Sequence, residues 1–440
     1  MERPPSHPSF VEALRVWIKI GLLSFGGPAG QISLMHRELV ETRRWVSDRR
    51  FLHALNYCML LPGPEAQQMA VYAGWLLHKT RGGIVAGALF VIPGALLMWA
   101  ISCVYVFYGK LPWIEAVFYG LKAAVMAVVM SAVFRIGKKV LKRPALWVIA
   151  AASFVAIFGF GVPFPVIVIG ALAAGLVFGR KFPAAFDIQG GHGGTLDANG
   201  AGYAVSDDVS SNIARPTLPG TLTRVMLWLA VWLVPLAVCW VWLGPAHVLT
   251  HEAMFFSKAA LVTFGGAYAV LPYVAQQAVE VHGWLSPAQM MDGLGLAETT
   301  PGPLILVLQF VGFLGGWNHP EGLSPLATAT LGAAMTTWVT FIPGFLFIFA
   351  GGPWIERSRG DLRLNTGLAA VTAAVVGVIL NLAVWFAWHG LVPEPGRFDA
   401  IPLSLGVGFL LLIEKRKCGV IPIVGLGAAA GLALHIAGLR

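Results

Sequence analysis

Hydrophobic positions in this chain form long unbroken runs rather than the alternating stripes of a soluble core. Ile84 to Tyr108, Ala145 to Phe160 and Val225 to Leu243 are nearly free of charge, and each approaches the roughly 20 residues that a helix needs to cross a bilayer. Two more runs, Pro112 to Phe134 and Pro163 to Phe178, are set off by short polar breaks. The pattern predicts an all-α polytopic membrane protein, because in lipid every backbone amide must be satisfied within its own helix. Met1 to Phe10 is polar and proline-rich, without the basic start and short apolar core of a cleavable signal, so none is expected.

The polar punctuation repeats. Lys19-x4-Ser24-Phe25-Gly26-Gly27 returns 239 positions later as Lys258-x4-Thr263-Phe264-Gly265-Gly266. The same offset relates Trp45-Val46-Ser47 to Trp284-Leu285-Ser286, and Pro62-Gly63-Pro64 to Pro301-Gly302-Pro303. With small shifts, Phe90-Val91-Ile92-Pro93-Gly94 pairs with Thr340-Phe341-Ile342-Pro343-Gly344, and Pro112-Trp113-Ile114-Glu115 with Pro353-Trp354-Ile355-Glu356. The chain therefore divides into a first repeat, 10–180, a polar linker with one extra membrane helix, 181–244, and a second repeat, 245–440. The linker is rich in Gly, Asp, Ser and Asn and reads as a flexible, solvent-exposed cytoplasmic segment.

One additional span turns the second copy over, and the basic residues agree. Arg37, Arg43, Arg44, Arg49 and Arg50 follow the first FGG, whereas Leu271 to Met290 contains no Lys or Arg. Cytoplasmic loops collect such charges, so the repeats are expected to have inverted topology, with the amino terminus cytoplasmic and the carboxyl terminus external. The arms flanking FGG and PGP are about 15 residues long and rise only about 22 Å, short of a hydrocarbon core of about 30 Å. They predict re-entrant or broken helices with FGG and PGP at the tips, and the basic clusters Arg135 to Arg143, Arg180-Lys181, Arg357 to Arg363 and Lys415 to Lys417 are expected on the cytoplasmic side, the first of them after a span ending at Phe134.

Composition removes several classes of function. Only 12% of residues are charged against 57% hydrophobic, and the net charge of +9 sits at the ends of apolar runs, as topology signals do, so no nucleic-acid partner is expected. The four cysteines are far apart, His247 and His251 lack a completing ligand set, and no P-loop occurs. No metal, cofactor or ATP-driven step is expected, and a membrane-embedded enzyme would need redox thiols, a flavin site or a metal cluster that the sequence does not display.

Candidate chemistry gathers at the tips. Gly26, Gly27, Gly265 and Gly266 bare the backbone, and Pro64 and Pro303, next to Pro62, Gly63, Pro301 and Gly302, suit the first turn of a new helix whose free N–H groups attract anions. The alternative is that these residues merely kink packed helices. Lys19 and Lys258, at equivalent places in apolar arms, suit a doubly charged anion or else snorkel to an interface. Ser24 and Thr263 either donate to oxyanion oxygens or bond to their own helix. Glu65 and Glu298 are candidate proton carriers or structural acceptors. Gln31, Asn56, Gln67 and Gln68 line the first copy, and Gln309 stands in the second.

The stretch FGGPAGQISLMHRELVETRRWVSDRRFLHALNYCMLLPGPEAQQMAVYAGW, Phe25 to Trp75, resembles the chromate ion transporter family, and FGGAYAVLPYV with TTPGPLILVLQFVGF resembles that family's second domain. The resemblance implies a long-chain, two-domain secondary transporter in a bacterial inner membrane. Its implied activity is export of chromate, with sulfate as the related dianion, conferring chromate resistance; a sulfate-type importer is the alternative, the lipid bilayer is the expected setting, and whether the chain forms a homo-oligomer is left open. By matching position it marks Gly26, Gly27, Pro28, Gln31, His36, Arg43, Arg44, Trp45, Asn56, Pro62, Gly63, Pro64 and Glu65. The long linker departs from the resemblance.

Overall fold

The computed structural model describes residues 6–25, 27–182, 185, 203–205, 216–264, 266–356, 365–392 and 398–439. Gly26, Gly265 and the Arg357 to Arg363 cluster lie outside them. The described residues are helical apart from loops and one isolated bridge.

In the first repeat, α1 (Phe10–Leu23), α2 (Gly27–His36) and α3 (Asp48–Leu60) precede the long α4 (Glu65–Tyr108), and α5 (Pro112–Val140), α6 (Pro144–Phe160) and α7 (Phe164–Lys181) follow. The linker leads to α8 (Leu218–Leu243). The second repeat comprises α9 (Val248–Val262), α10 (Ala267–Ala275), α11 (Pro287–Thr299), α12 (Val307–Asn318), α13 (Pro325–Ile355), α14 (Asn365–Leu391), α15 (Ala400–Arg416) and α16 (Val420–Ile436). The order corresponds element by element once α4 is divided. His78 and Lys79 leave helical geometry, Lys79 with φ of +52°, so the two halves of α4 match α12 and α13.

Local chemistry explains the repeated motifs. Trp45 and Trp284 are both buried, and the serine two places on caps the next helix: Ser47 Oγ accepts from the Arg50 N–H of α3, and Ser286 forms a reciprocal capping box with Gln289 of α11. A short π-helical segment, Arg37–Thr42 or Gln276–Val281, leads into each tryptophan. α1 and α3 have 14 and 13 residues, too few to cross a bilayer. α4, α5, α8, α13 and α14 are long and apolar enough to do so.

The repeats are interlocked. α5 packs on α14, α15 and α16, while α14 packs on α5, α6 and α7. Close crossings need small residues: Gly120 of α5 lies against the backbone of Gly427 and Gly431 on α16, and Gly175 of α7 against Thr366 and Gly367 of α14. α8 is peripheral, leaning on α13 through Trp228, whose ring stacks on Phe345 and Phe349. Its outer face, including Leu227, Val241 and Trp242, is exposed, as a lipid-facing helix requires.

Two expectations need correction. α5 continues past the expected span end at Phe134 through Arg135, Lys138 and Lys139 to Val140, so these basic residues form the last turns of the helix, where cations complement the dipole. The linker is also not wholly solvent-exposed. Ala204 and Val205 donate their N–H groups to the carbonyls of Arg44 (3.0 Å) and Trp45 (2.9 Å), and Val205 is buried beside Val46.

Candidate binding site at the paired hairpin tips

The helix breaks of the two repeats meet each other. Gly63 N–H donates to the Thr263 carbonyl at 2.7 Å, and Gly302 N–H donates to the Ser24 carbonyl at 2.7 Å. Each PGP glycine thus holds the residue before the other repeat's FGG, in a reciprocal pair related by the repeat symmetry. Both glycines need their lack of a side chain, with φ of +109° at Gly63 and +100° at Gly302. Gly27 and Gly266 are also at positive φ.

The two Ile-Pro-Gly segments close round the same place. A Cβ on Gly94 of α4 would collide with the Pro301 carbonyl, and one on Gly344 of α13 would collide with the Gln67 side chain. α2, α4 and α10 begin at these breaks, and a short 3-10 turn, Leu304–Leu306, begins there and leads into α12. The starts of these helices, with the positive ends of their dipoles, therefore lie at the crossing. Pro64 and Pro303 sit one place earlier than expected, as N-cap residues rather than in the first turn, because the PGP turn stays extended through its second proline.

Polar side chains break the symmetry. Gln31 Nε2 donates to the Gly302 carbonyl (2.6 Å), and Gln68 Nε2 donates to the Pro62 carbonyl (2.7 Å). Gln67 is fully buried, and neither of its amide atoms has a partner among the described residues; the carbonyl oxygens of Gln31 and Gln68 and the Thr340 hydroxyl are likewise unpartnered. Such groups are costly to bury, and a ligand is one way to satisfy them. Gln309 Nε2 donates to the Ala95 carbonyl, next to Gly94, at 2.8 Å, and its amide oxygen has no partner among the described residues.

Several expected residues have other engagements. The Ser24 and Thr263 hydroxyls donate to the carbonyls of Ile20 and Ala259, both at 2.6 Å, so it is their own carbonyls that serve the crossing. Lys19 Nζ donates to Glu38 at 2.7 Å, and the other Glu38 oxygen takes Arg43, whose guanidinium lies over the Trp45 ring. Burial raises the Glu38 carboxyl, but these cations outweigh that and hold it below its ordinary range. His36 bridges Glu41 (3.0 Å) and Asp48 (2.6 Å). The His36, Arg43 and Trp45 motif is thus a brace for the loop after the first hairpin, with Arg44 joined to the linker. Lys258 has no such acid: it is exposed and unpaired among the described residues. Asn56 is exposed on α3.

Glu298 accepts a hydrogen bond from Tyr268 of α10 with Arg135 of α5 beside both, and Lys139, one turn further on, acts on Glu65. One cationic helix end therefore serves both tip carboxylates. Sequence reasoning did not find this link, nor the buried Arg50–Glu356 pair (2.8 Å) whose carboxylate also accepts from Tyr72 (2.6 Å), nor Asp292, which accepts from Tyr105 (2.9 Å).

Comparison with known proteins places this architecture. The family described as Chromate transporter matches residues 11–176 and again 251–432. A chromate transport protein of Pseudomonas aeruginosa is 36% identical over 98% of this chain and 94% of its own length. One from Cupriavidus metallidurans is 28% identical over 95% of this chain and 92% of its own. A probable chromate transport protein of Synechococcus elongatus is 27% identical over 94% of this chain and 92% of its own. No solved structure matches the chain significantly. With two matched segments spread over most of its length, and with relatives aligned almost from end to end, this multi-pass membrane protein belongs to the chromate transporter family.

Proposed function

We propose that this transporter exports chromate across a bacterial inner membrane and that the crossing of the hairpin tips is where the dianion binds. The observation that carries the reading is the reciprocal Gly63–Thr263 and Gly302–Ser24 pair, which brings helix starts from both repeats to one place. Buried backbone donors and the unpaired Gln67 amide are suited to an oxyanion, which accepts hydrogen bonds from every side. The exposed Arg135 and Lys139 beside the tips offer it an approach from the side where the other basic residues gather.

Direction follows from charge. A potential negative inside is worth about 2.3 kcal/mol per charge per 100 mV, so expelling a dianion gains roughly 4.6 kcal/mol, without ATP. Proton exchange through Glu65 and Glu298 would add to it, and chromate resistance is the expected consequence for the cell. The role is transport rather than catalysis. Chromate and sulfate counterflow in proteoliposomes tests the reading: saturable chromate exchange supports it, and its absence rejects it. A sulfate-type importer would show the opposite pH dependence of flux.

Inverted topology belongs to the same proposal. Ser47 is a buried cap, so the exposed neighbours Arg49 and Val281 are the better probes. In a cysteine-free background, Arg49→Cys should react only with reagent on the cytoplasmic side and Val281→Cys only from outside. Reaction from one side by both would reject inversion.

The two lysines should not respond equally. Lys258→Gln is expected to weaken chromate binding by about 1–3 kcal/mol, as loss of a charged hydrogen bond does, whereas Lys19→Gln should cost less because Glu38 already neutralises Lys19. Equilibrium binding of chromate to the two purified variants gives the comparison; a larger loss at Lys19 would contradict it.

A further inference from the structure

Glu252 of α9 stands at the crossing of α9 with α12 and α13, with no role in the site described above. It is 0% exposed, and neither carboxyl oxygen has a hydrogen-bond partner among the described residues. One oxygen abuts Gly315 of α12, where a Cβ would collide with it. The other would stand 2.7 Å from a Cβ on Gly332 of α13. The carboxyl thus fills a space that two side chains would otherwise take, against Cα–H groups rather than donors.

Among the described residues no cation hydrogen-bonds or ion-pairs with it. Lys258 is the only Lys or Arg between Arg224 and Arg357, and it is exposed. The titratable groups facing Glu252 are Glu321 from the α12–α13 loop and Cys239 from α8, and His247 caps its own helix. On α13 the Thr328 hydroxyl is committed to the Pro320 carbonyl, and the unpartnered Thr336 hydroxyl, one turn beyond Gly332, is neutral. A bare carboxylate in such a place is strongly disfavoured, and a proton removes the penalty.

We propose that Glu252 is a proton-binding site of the transport cycle, filled from the side of Glu321. Glu321 is 41% exposed, receives the Val248 N–H at 2.7 Å and lies 3.7 Å from His247 Nδ1, so it joins solvent to the first turn of α9. The far end of α9 carries Thr263, whose carbonyl holds Gly63 at the crossing. Loss of the proton places a charge between α9 and its two neighbours, loosening the helix that sets the second repeat's tip. The coupling to transport rests on the function proposed above; the presence of the proton does not.

Infrared spectroscopy of the full chain in liposomes tests the proton directly. At neutral pH the protein should show the C=O band of a protonated carboxylic acid, shifted in D2O, and Glu252→Gln should abolish that component. If the glutamine variant fails to fold, Glu252→Asp should displace the band instead. A spectrum in which neither variant changes the band overturns the proposal. So does a band removed by adding sodium at constant pH, which would make the slot a metal-cation site. In the same liposomes, stimulation of chromate flux by a pH gradient, normalised to counterflow, should be lost in Glu252→Gln; undiminished stimulation overturns the coupling. Absence of chromate counterflow in the unmodified protein would reject the chromate reading while leaving the infrared result standing.

Discussion

Gly302→Val and Gly63→Val are each expected to cut chromate counterflow by about tenfold or more while leaving protein in the membrane, since about 1–3 kcal/mol of backbone strain is lodged at the site itself. At φ of +100° and +109° a β-branched residue is sterically excluded. A Cβ would also press on Leu306 Cδ1 at Gly302 and on Gln68 Nε2 at Gly63, both at 3.0 Å. Relief requires the turn to rotate, and rotation withdraws the N–H from the opposite repeat's carbonyl. Gly302 should be the more sensitive, because its carbonyl also receives Gln31 at 2.6 Å and that amide would be released with it. Gly170 of α7 is the control: its Cβ would meet nothing within 4 Å and its φ is not positive, so Gly170→Val should transport normally. Counterflow per unit of folded protein is the measurement. Normal rates in both tip variants would show that the crossing is only a packing device.

The second large effect is on stability. Arg50 and Glu356 form an ion pair with both side chains 2% exposed, joining α3 of the first repeat to the end of α13 in the second. Removing one member of a buried pair leaves the other charge without its partner and costs about 3–5 kcal/mol. Arg50→Met should therefore lower the thermal midpoint of the detergent-solubilised protein strongly, even though methionine fills much of the space. Adding Glu356→Gln should restore most of the loss, because the amide still accepts from Tyr72 and carries no charge. A double variant as unstable as Arg50→Met alone would show that the lost packing of arginine, rather than the stranded carboxylate, is what matters.

Much of the scaffold was legible without coordinates because its signals are local. Runs of apolar residues specify membrane helices through the cost of bare backbone in lipid. FGG and PGP specify breaks because few residues other than glycine accept the required φ, and a fixed offset of 239 residues shows that every such signal is used twice. Where a local signal is ambiguous the boundary shifts: the apolar run ends at Phe134, yet α5 runs on through the basic stretch to Val140, because lysine and arginine are good helix formers at a C-terminal end.

Partners are another matter, because they depend on which distant segments the fold brings together. That the N–H of Gly63 goes to Thr263 and that of Gly302 to Ser24 depends on the two repeats crossing, which no single motif encodes. Lys19 and Lys258 are equivalent in sequence, yet Glu38 stands beside the first while the position 239 residues on from Glu38 is Gln277, so one charge is compensated and the other is open. Glu356 and Glu252 look alike as acids within apolar surroundings. Tertiary packing supplies Arg50 from 306 residues away to the first and no hydrogen-bond partner among the described residues to the second. The sequence by itself determined the helices, their breaks and their duplication, because these follow from hydration and backbone sterics within one turn. The tertiary structure alone decided which buried charges are paired, since a charge in a low-dielectric interior is governed by whatever group the fold sets against it.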